Sequence, residues 1–429
     1  MALLPAGSAL IGPAHSRSEK VQRDLLAAVI TAEGPISRKK YAEATAEPMP
    51  TVLRAAKNLL AAGLIVQGDD LPLDGPGRPE RALKINPHHV YLGLAIEDRS
   101  PETGTNVGWQ VCALGVTLDG KPLVGLPAEY EPIESPYGLD QVVVAVSKVV
   151  ERIRDKIPHQ SAQVHGLGVS VGGHVEDGTV RFSPNITGLR DERLAERIEA
   201  ATRLPTLVQN DANALARRLF WQKGGREMSF AVVLVKPDGI GAGTVKDGSV
   251  YVGATGMSGE LGHFKMYPPE ELRRQCRCGG YGCLETLATP QAIALGLGLQ
   301  EVKWHEAIDR AEKGDAAAEK AFREAGDFLG RALATLVATV DPEKVYLLWE
   351  NESLDPAQHR AAELYLQGAR DALERDLFPT AFGQRLVSAA LPTSEDQAQA
   401  AASGPIEKLV EKQPENGNEK PDNGSPEGA

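Results

Sequence analysis

The sequence predicts an α/β protein: an N-terminal winged helix-turn-helix unit, then a duplicated α/β domain of two lobes. Three observations lead there. Residues 17–86 carry three short helical patterns and a hairpin pattern, strands alternate with helices from Val90, and a similar round begins at Phe230. At 429 residues the chain exceeds one ordinary domain of roughly 150 residues, so several cores are expected. Its 42% apolar and 24% charged content is close to globular averages and excludes global disorder.

The first helix is expected over residues 18–32, where Val21, Leu25, Leu26, Val29 and Ile30 recur at helical spacing. Gly34-Pro35 stops it, and Ser37 caps a second helix running through Thr45. Pro48 and Pro50 mark a turn before a third helix at 50–62, closed by Gly63, since proline suits a first helical turn. A strand at 64–66 is answered by one at 81–85 across Gly75-Pro-Gly-Arg-Pro79, which completes the winged helix-turn-helix pattern. In the first lobe, strands are expected at 90–96, 108–118 and 123–129, then a helix at 139–157 and a strand at 164–171. The second round has strands at 230–235, 240–246 and 249–252, then helices, then a strand at 344–348. Such duplication implies a cleft between lobes, where ligands bind. The expected division is 17–86 for the head, 90–212 for the first lobe and 213–412 for the second, with residues 1–16 and the acidic tail 413–429 disordered.

A net charge of −12 makes the whole molecule a poor polyanion binder, but residues 17–66 hold eight basic against five acidic side chains. Contact with double-stranded DNA is therefore expected from the head. In a helix-turn-helix the start of the third helix reaches base edges, which selects Met49, Thr51, Val52 and Arg54, with Lys57 on phosphate. Arg38, Lys39 and Lys40 of the second helix face the backbone, and Arg78 in the wing can enter a minor groove. So few contacts bind weakly, so a homodimer or homotetramer on a palindromic or repeated operator is expected. No apolar run approaches the ~20 residues of a membrane span, and no basic residue precedes the mild apolar run at 2–11, so a cytoplasmic chain is expected.

Three of the four cysteines lie in Cys276-Arg-Cys278-Gly-Gly-Tyr-Gly-Cys283. That clustering fits a metal site in a reducing compartment; Cys112 stands alone and reads as core. Three thiolates need a fourth ligand to close a tetrahedral zinc site, and the nearest candidate is His263.

Glu260-x-x-His263 followed by this cysteine loop and Glu285 resembles the signature of the ROK family, which contains sugar kinases and sugar-responsive repressors. Ser183-Pro-Asn185-Ile-Thr-Gly188-Leu resembles the family's sugar-proximal loop, Gln209-Asn210-Asp211-Ala-Asn213-Ala its catalytic segment, and Gly239-Ile-Gly-Ala-Gly243 its second phosphate loop. The head, ending in Gly77-Arg78-Pro79, is similar to that of the repressor branch. The resemblance implies a two-lobe actin- or hexokinase-like (ribonuclease H-like) fold. It also implies a sugar or sugar derivative held by Asn210, Asp211, Glu260, His263 and Glu285, with His263 shared with zinc. Carboxylates and an amide return to a polyol the hydrogen bonds it leaves in water.

Two departures set the expected activity. Where active relatives begin the first lobe with an Asp-x-Gly-Gly-Thr loop, this chain has Ala95, Glu97 and Asp98, and the glycines of the adenosine loop are missing near Leu347 to Glu352. The expectation is therefore a sugar-responsive DNA-binding regulator and not an enzyme, with Asp211 a sugar ligand and no catalytic base. The rival is an ATP-dependent sugar kinase with an accessory DNA-binding domain. A third reading is a regulator that no longer senses sugar, because His174 stands where relatives usually carry proline.

Overall fold

A computed structural model describes residues 17–71, 80–98, 108–157, 162–184, 186, 188–223, 229–300, 303–349, 359–377, 382–390 and 393–411. The segments expected to be disordered, 1–16 and 413–429, lie outside the described residues, as do Arg78, Asn185 and residues 350–352. The chain forms two compact units, Met1–Asn86 with Glu407–Ala429, and Pro87–Ile406.

In the first unit, α1 (Arg17–Thr31), α2 (Arg38–Thr45) and α3 (Met49–Ala61) precede β1 (Ile65–Asp70) and β2 (Arg81–Ile85). The Ser37 hydroxyl accepts from the Lys40 amide at 3.1 Å, the cap expected of it. The two strands pair antiparallel with Ile65 opposite Ile85. Leu25, Leu26, Ile36, Val52, Ala56 and Leu59 form the core.

The second unit opens with β3 (His89–Asp98), β4 (Trp109–Thr117), β5 (Glu129–Ile133), α4 (Leu139–Lys156) and β6 (Gln163–Val171). It continues through β7 (His174–Glu176), β8 (Thr179–Phe182), α5 (Leu194–Thr202), β9 (Thr206–Asn210) and α6 (Asp211–Gln222). The second lobe holds β10 (Phe230–Val235), β11 (Ile240–Lys246), β12 (Ser249–Val250), α7 (Glu285–Ala288), α8 (Pro290–Gly296), α9 (Trp304–Glu312), α10 (Ala316–Val340), β13 (Lys344–Trp349), α11 (Arg360–Asp376) and β14 (Leu386–Ala390). A last helix, α12, spans Ser394–Glu411.

The sheet orders are β5-β4-β3-β6-β9 and β12-β11-β10-β13-β14. In each, the central strand has an antiparallel neighbour on one side and a parallel one on the other. The lobes thus repeat one topology, which is the duplication anticipated from the sequence.

Two expectations need correction. The third strand lies at Glu129–Ile133 and not at 123–129. Val124 is fully exposed, Gly125 has φ +82°, and the Leu126 amide bonds to the Leu123 carbonyl at 3.2 Å, so the apolar stretch makes a turn. The true strand reads as polar because α4 secures it by charge: Arg152 bonds Glu131 at 2.6 Å and Glu129 at 3.2 Å, and Lys148 bonds Glu131 at 3.1 Å.

The second correction is to the expected lobe boundary. The expectation puts residues 213–412 in the second lobe, but helix α12 within that range packs on the first lobe's sheet. A Cβ on Gly93 of β3 would sit 1.8 Å from the Ala398 carbonyl oxygen, and one on Gly168 of β6 1.9 Å from that of Ala401. Only glycines opposite an alanine-rich helix permit so close an approach. Gln209 donates to the Ala401 carbonyl at 2.9 Å, and Arg218 pairs with Asp396 at 2.9 Å. Among the described residues no helix is long and apolar enough to cross a membrane.

Candidate functional site

After β12 the chain passes through a short helical turn at Leu261–His263 into the cysteine loop, which ends at the start of α7. Cys276 amide to Gly280 carbonyl at 2.7 Å and Gly279 amide to Cys276 carbonyl at 2.8 Å fold it back on itself, with Gly279 at φ +87° and Gly282 at φ +67°. This brings one donor atom each of His263, Cys276, Cys278 and Cys283 within 4.8 Å of one another. Cys278 and Cys283 sulfurs lie 3.7 Å apart, and Cys276 sulfur lies 3.5 Å from His263 Nδ1. A tetrahedron with metal–sulfur bonds of about 2.3 Å and metal–nitrogen bonds of about 2.0 Å has edges of roughly 3.7 and 3.5 Å, so the donors fit such an ion and are compatible with zinc. Lys265 Nζ donates to Cys283 sulfur at 2.7 Å and offsets thiolate charge. Arg277, between two of the cysteines, pairs with Asp238 in the β10–β11 turn at 2.7 Å.

His263 faces the cluster with Nδ1, and its Nε2 lies 3.8 Å from Glu260 Oε2. Glu285, the first residue of α7, accepts at 2.8 Å from Cys276 in its thiol form, a hydrogen that metal binding would displace. Burial pushes the Glu260 carboxyl above the usual range; His263 and His174 oppose this, and Asp211 and Glu285 add to it. Glu260 therefore lies in the field of all three other expected titratable ligands and of His174. That histidine's Nε2 is 2.5 Å from the Thr255 carbonyl; a carbonyl only accepts, so Nε2 carries the hydrogen.

Asn210 and Asp211 stand at the junction of β9 and α6. Asn210 caps the helix, accepting from the amides of Ala212 at 2.9 Å and Asn213 at 3.2 Å, and donates to the Gly173 carbonyl at 3.0 Å. Asp211 Oδ1 accepts from the Ala212 amide at 2.9 Å, while Oδ2 meets Lys236 Nζ at 2.7 Å. Cβ atoms built on Gly241 and Gly172 would lie within 4 Å of the Asp211 carboxylate, and on Gly239 and Gly262 within 4 Å of that of Glu285, so glycines line the floor. The sequence reading missed Lys236. A lysine before Pro-Asp-Gly reads as a solvated turn residue, and only the tertiary pairing reveals it. Glu97 is also placed unexpectedly: burial pushes its carboxyl up, against hydrogen bonds from Ser394 and Gln110 and the charge of Lys236.

In the head, α3 exposes Met49, Leu53, Arg54 and Lys57, whereas Val52 is fully buried. Val52 is thereby corrected from a base-contacting residue to a core one: Val52, Ala55, Ala56 and Leu59 form the helix's buried stripe. Leu53 holds the exposed position beside Arg54. Thr51 is half-buried, as is Arg38, while Lys39 and Lys40 are exposed. Lys39 pairs with Glu80 at 3.6 Å and Glu43 at 4.0 Å, which reduces the charge it offers.

The sequence profile of the ROK family matches residues 136–354, just over half the chain. The chain belongs to the ROK family. It is 25% identical over 373 residues to the DNA-binding transcriptional dual regulator NagC of Escherichia coli K12, covering 82% of this chain and 86% of NagC. It is 32% identical over 202 residues to a glucokinase of Halalkalibacterium halodurans, covering 42% of this chain and 60%, less than two thirds, of that protein. The crystal structure of a ROK family transcriptional regulator, a homolog of the E. coli MLC protein, shares the fold with a TM-score of 0.72 at 22% identity, over 92% of this chain and 97% of that one. The glucokinase match overturns the expectation that the chain is not an enzyme: ROK membership spans kinases and regulators alike. The physical reason is that phosphate cradles are made of backbone amides, so side-chain changes at Ala95, Glu97 and Asp98 do not by themselves remove one.

Proposed function

We propose that this ROK protein is a sequence-specific DNA-binding transcription regulator whose two-lobe domain takes a sugar or sugar derivative as effector, with zinc holding the cysteine loop. The observation that carries this is one chain joining a helix-turn-helix head, with Arg54 and Lys57 exposed on its third helix, to a part-buried cluster where Asp211, His263 and Glu285 surround Glu260. The NagC match supports it, because that match is too long to be confined to residues 87–406. In this reading Met49, Thr51, Leu53 and Arg54 meet base edges, Arg38, Lys39, Lys40 and Lys57 meet phosphates, and Arg78 of the wing, outside the described residues, enters the minor groove. A homodimer or homotetramer supplies the second half-site, and effector binding shifts the lobe arrangement only as far as its affinities for the two arrangements differ.

Operators recovered by chromatin immunoprecipitation provide the test. On them, Arg54→Ala is expected to cost about 1–3 kcal/mol and to relax specificity. Lys40→Ala is expected to weaken all sequences alike and lower the salt slope by about one; it is the better phosphate probe because Lys39 is paired with Glu80. Equal losses on operator and random DNA for Arg54→Ala would remove α3 from the reading role.

A second reading, an ATP-dependent sugar kinase with an accessory DNA-binding head, is favoured by the glucokinase match and by the presence of Asp211 in the cleft. A coupled assay with magnesium and ATP across hexoses decides it: turnover lost in Asp211→Asn would establish catalysis.

A further inference from the structure

Strand β10 is buried at every position from Phe230 to Val235. Its next residue, Lys236, is therefore delivered at the carboxyl end of the second lobe's central strand, where open α/β sheets bind ligands. The turn is closed by the Lys236 amide donating to the Gly239 carbonyl at 2.9 Å, and Asp238 in the same turn is tied to Arg277 of the cysteine loop. The side chain crosses to the start of α6, where Nζ lies 2.7 Å from Asp211 Oδ2; the Asp211 side chain is 14% exposed and that of Lys236 33%. The remaining Asp211 oxygen accepts from the Ala212 amide, so each carboxylate oxygen has one fixed donor.

Part-buried Glu260 feels the like charge of both Asp211 and Glu285, and Lys236 supplies a cation directly on Asp211. We propose that Lys236 is a positioning residue for the effector site: its ammonium fixes the orientation of the Asp211 carboxylate, whose free lone pairs take ligand hydroxyl donors. The ligand class that fits is a polyol presenting hydroxyls to Asp211. A guanidinium at position 236 can replace the ammonium's charge, whereas a methionine of similar length cannot.

This rests on the effector reading above, and calorimetry on the full-length protein separates the two. The probes are D-glucose, N-acetylglucosamine and D-xylose, against wild type, Lys236→Met, Lys236→Arg, Asp211→Asn and the Lys236→Met/Asp211→Asn pair, with melting curves to verify folding. For the sugar that wild type binds, Lys236→Met is expected to lose about tenfold or more in affinity, as a charge-assisted contact implies. Lys236→Arg is expected to restore most of it, and the double variant to bind no worse than Asp211→Asn alone, since the lysine acts through that carboxylate. Wild-type affinity in Lys236→Met, or losses that multiply in the double variant, would overturn the proposal. If Lys236→Met melts early, the decision passes to Lys236→Arg: an affinity as low as that of Asp211→Asn in a folded protein overturns it. Absence of binding by wild type to every probe overturns the effector reading itself, and this inference with it.

Discussion

Replacing Cys278 with alanine is expected to strip the metal from the cysteine loop, taking zinc from about one ion per chain to near none, and to lower the melting temperature by roughly 5–10 °C. Backbone turns and the Arg277–Asp238 pair fold the loop, but a shared metal is what would join its three sulfurs to His263. Cys276, Cys278 and Cys283 lie within eight residues, their backbone is folded by glycine turns, and the observed 3.7 and 3.5 Å donor spacings match two edges of one tetrahedron. With one corner removed, the three remaining donors no longer close a tetrahedron, and burial favours the neutral thiols of Cys276 and Cys283 over metal-binding thiolates. The temperature shift corresponds to about 2.5 kcal/mol at roughly 2–4 °C per kcal/mol for a large domain. Because His263 reaches the cluster with one nitrogen and Glu260 with the other, the damage extends to the cleft. Elemental analysis with calorimetric melting checks this, and full zinc occupancy in Cys278→Ala would refute the four-ligand assignment.

A Gly168→Ala substitution is expected to destabilise the protein by about 3 kcal/mol, at the top of the range for overpacked cores or beyond it. The added carbon would meet the Ala401 carbonyl oxygen at 1.9 Å, its carbon at 2.5 Å and the Ala402 Cα at 3.0 Å. All three are backbone atoms of α12, so no side chain can swing aside, and the helix must lift from the sheet. Gly296→Ala serves as the control. It ends α8 with only the tip of Arg274 at 3.5 Å, and added helix propensity makes it neutral or slightly stabilising. Urea unfolding distinguishes the two, and an unchanged midpoint for Gly168→Ala would refute the close packing.

What the sequence revealed depended on whether the deciding forces were local. The cysteines, the ExxH turn and the Asn210-Asp211 pair were legible because their chemistry is carried by residue type at short spacing. The strand at Phe230–Val235 was legible because burial at every position leaves a continuous apolar run. Strand β5 was not, since its Glu129 and Glu131 are balanced by Arg152 and Lys148 on α4. Val52 was placed on the DNA face because helix boundaries alone do not set which stripe is buried; the α1 and α3 packing does. Lys236 and the seat of α12 were hidden for the same reason, as each is defined by a partner far away in the chain.

That seat of α12 has a consequence for how the protein is made. Gln209 and Ala401 are 192 residues apart, and Gly120 and Gln399, which also hydrogen-bond, are 279 apart. At ribosomal speeds of about 5–20 residues per second, Gln209 waits roughly 10–40 s for its partner carbonyl to be synthesised. Until then the glycine-lined face of β3 and β6 has no cover, and contacts of such long sequence separation form slowly. The strands of the second lobe are all polymerised by Ala390, before α12 begins. The lobe encoded first is thus the last to be completed, and the nascent chain carries an open apolar sheet while the second lobe is made, the interval in which a chaperone would have the most to bind.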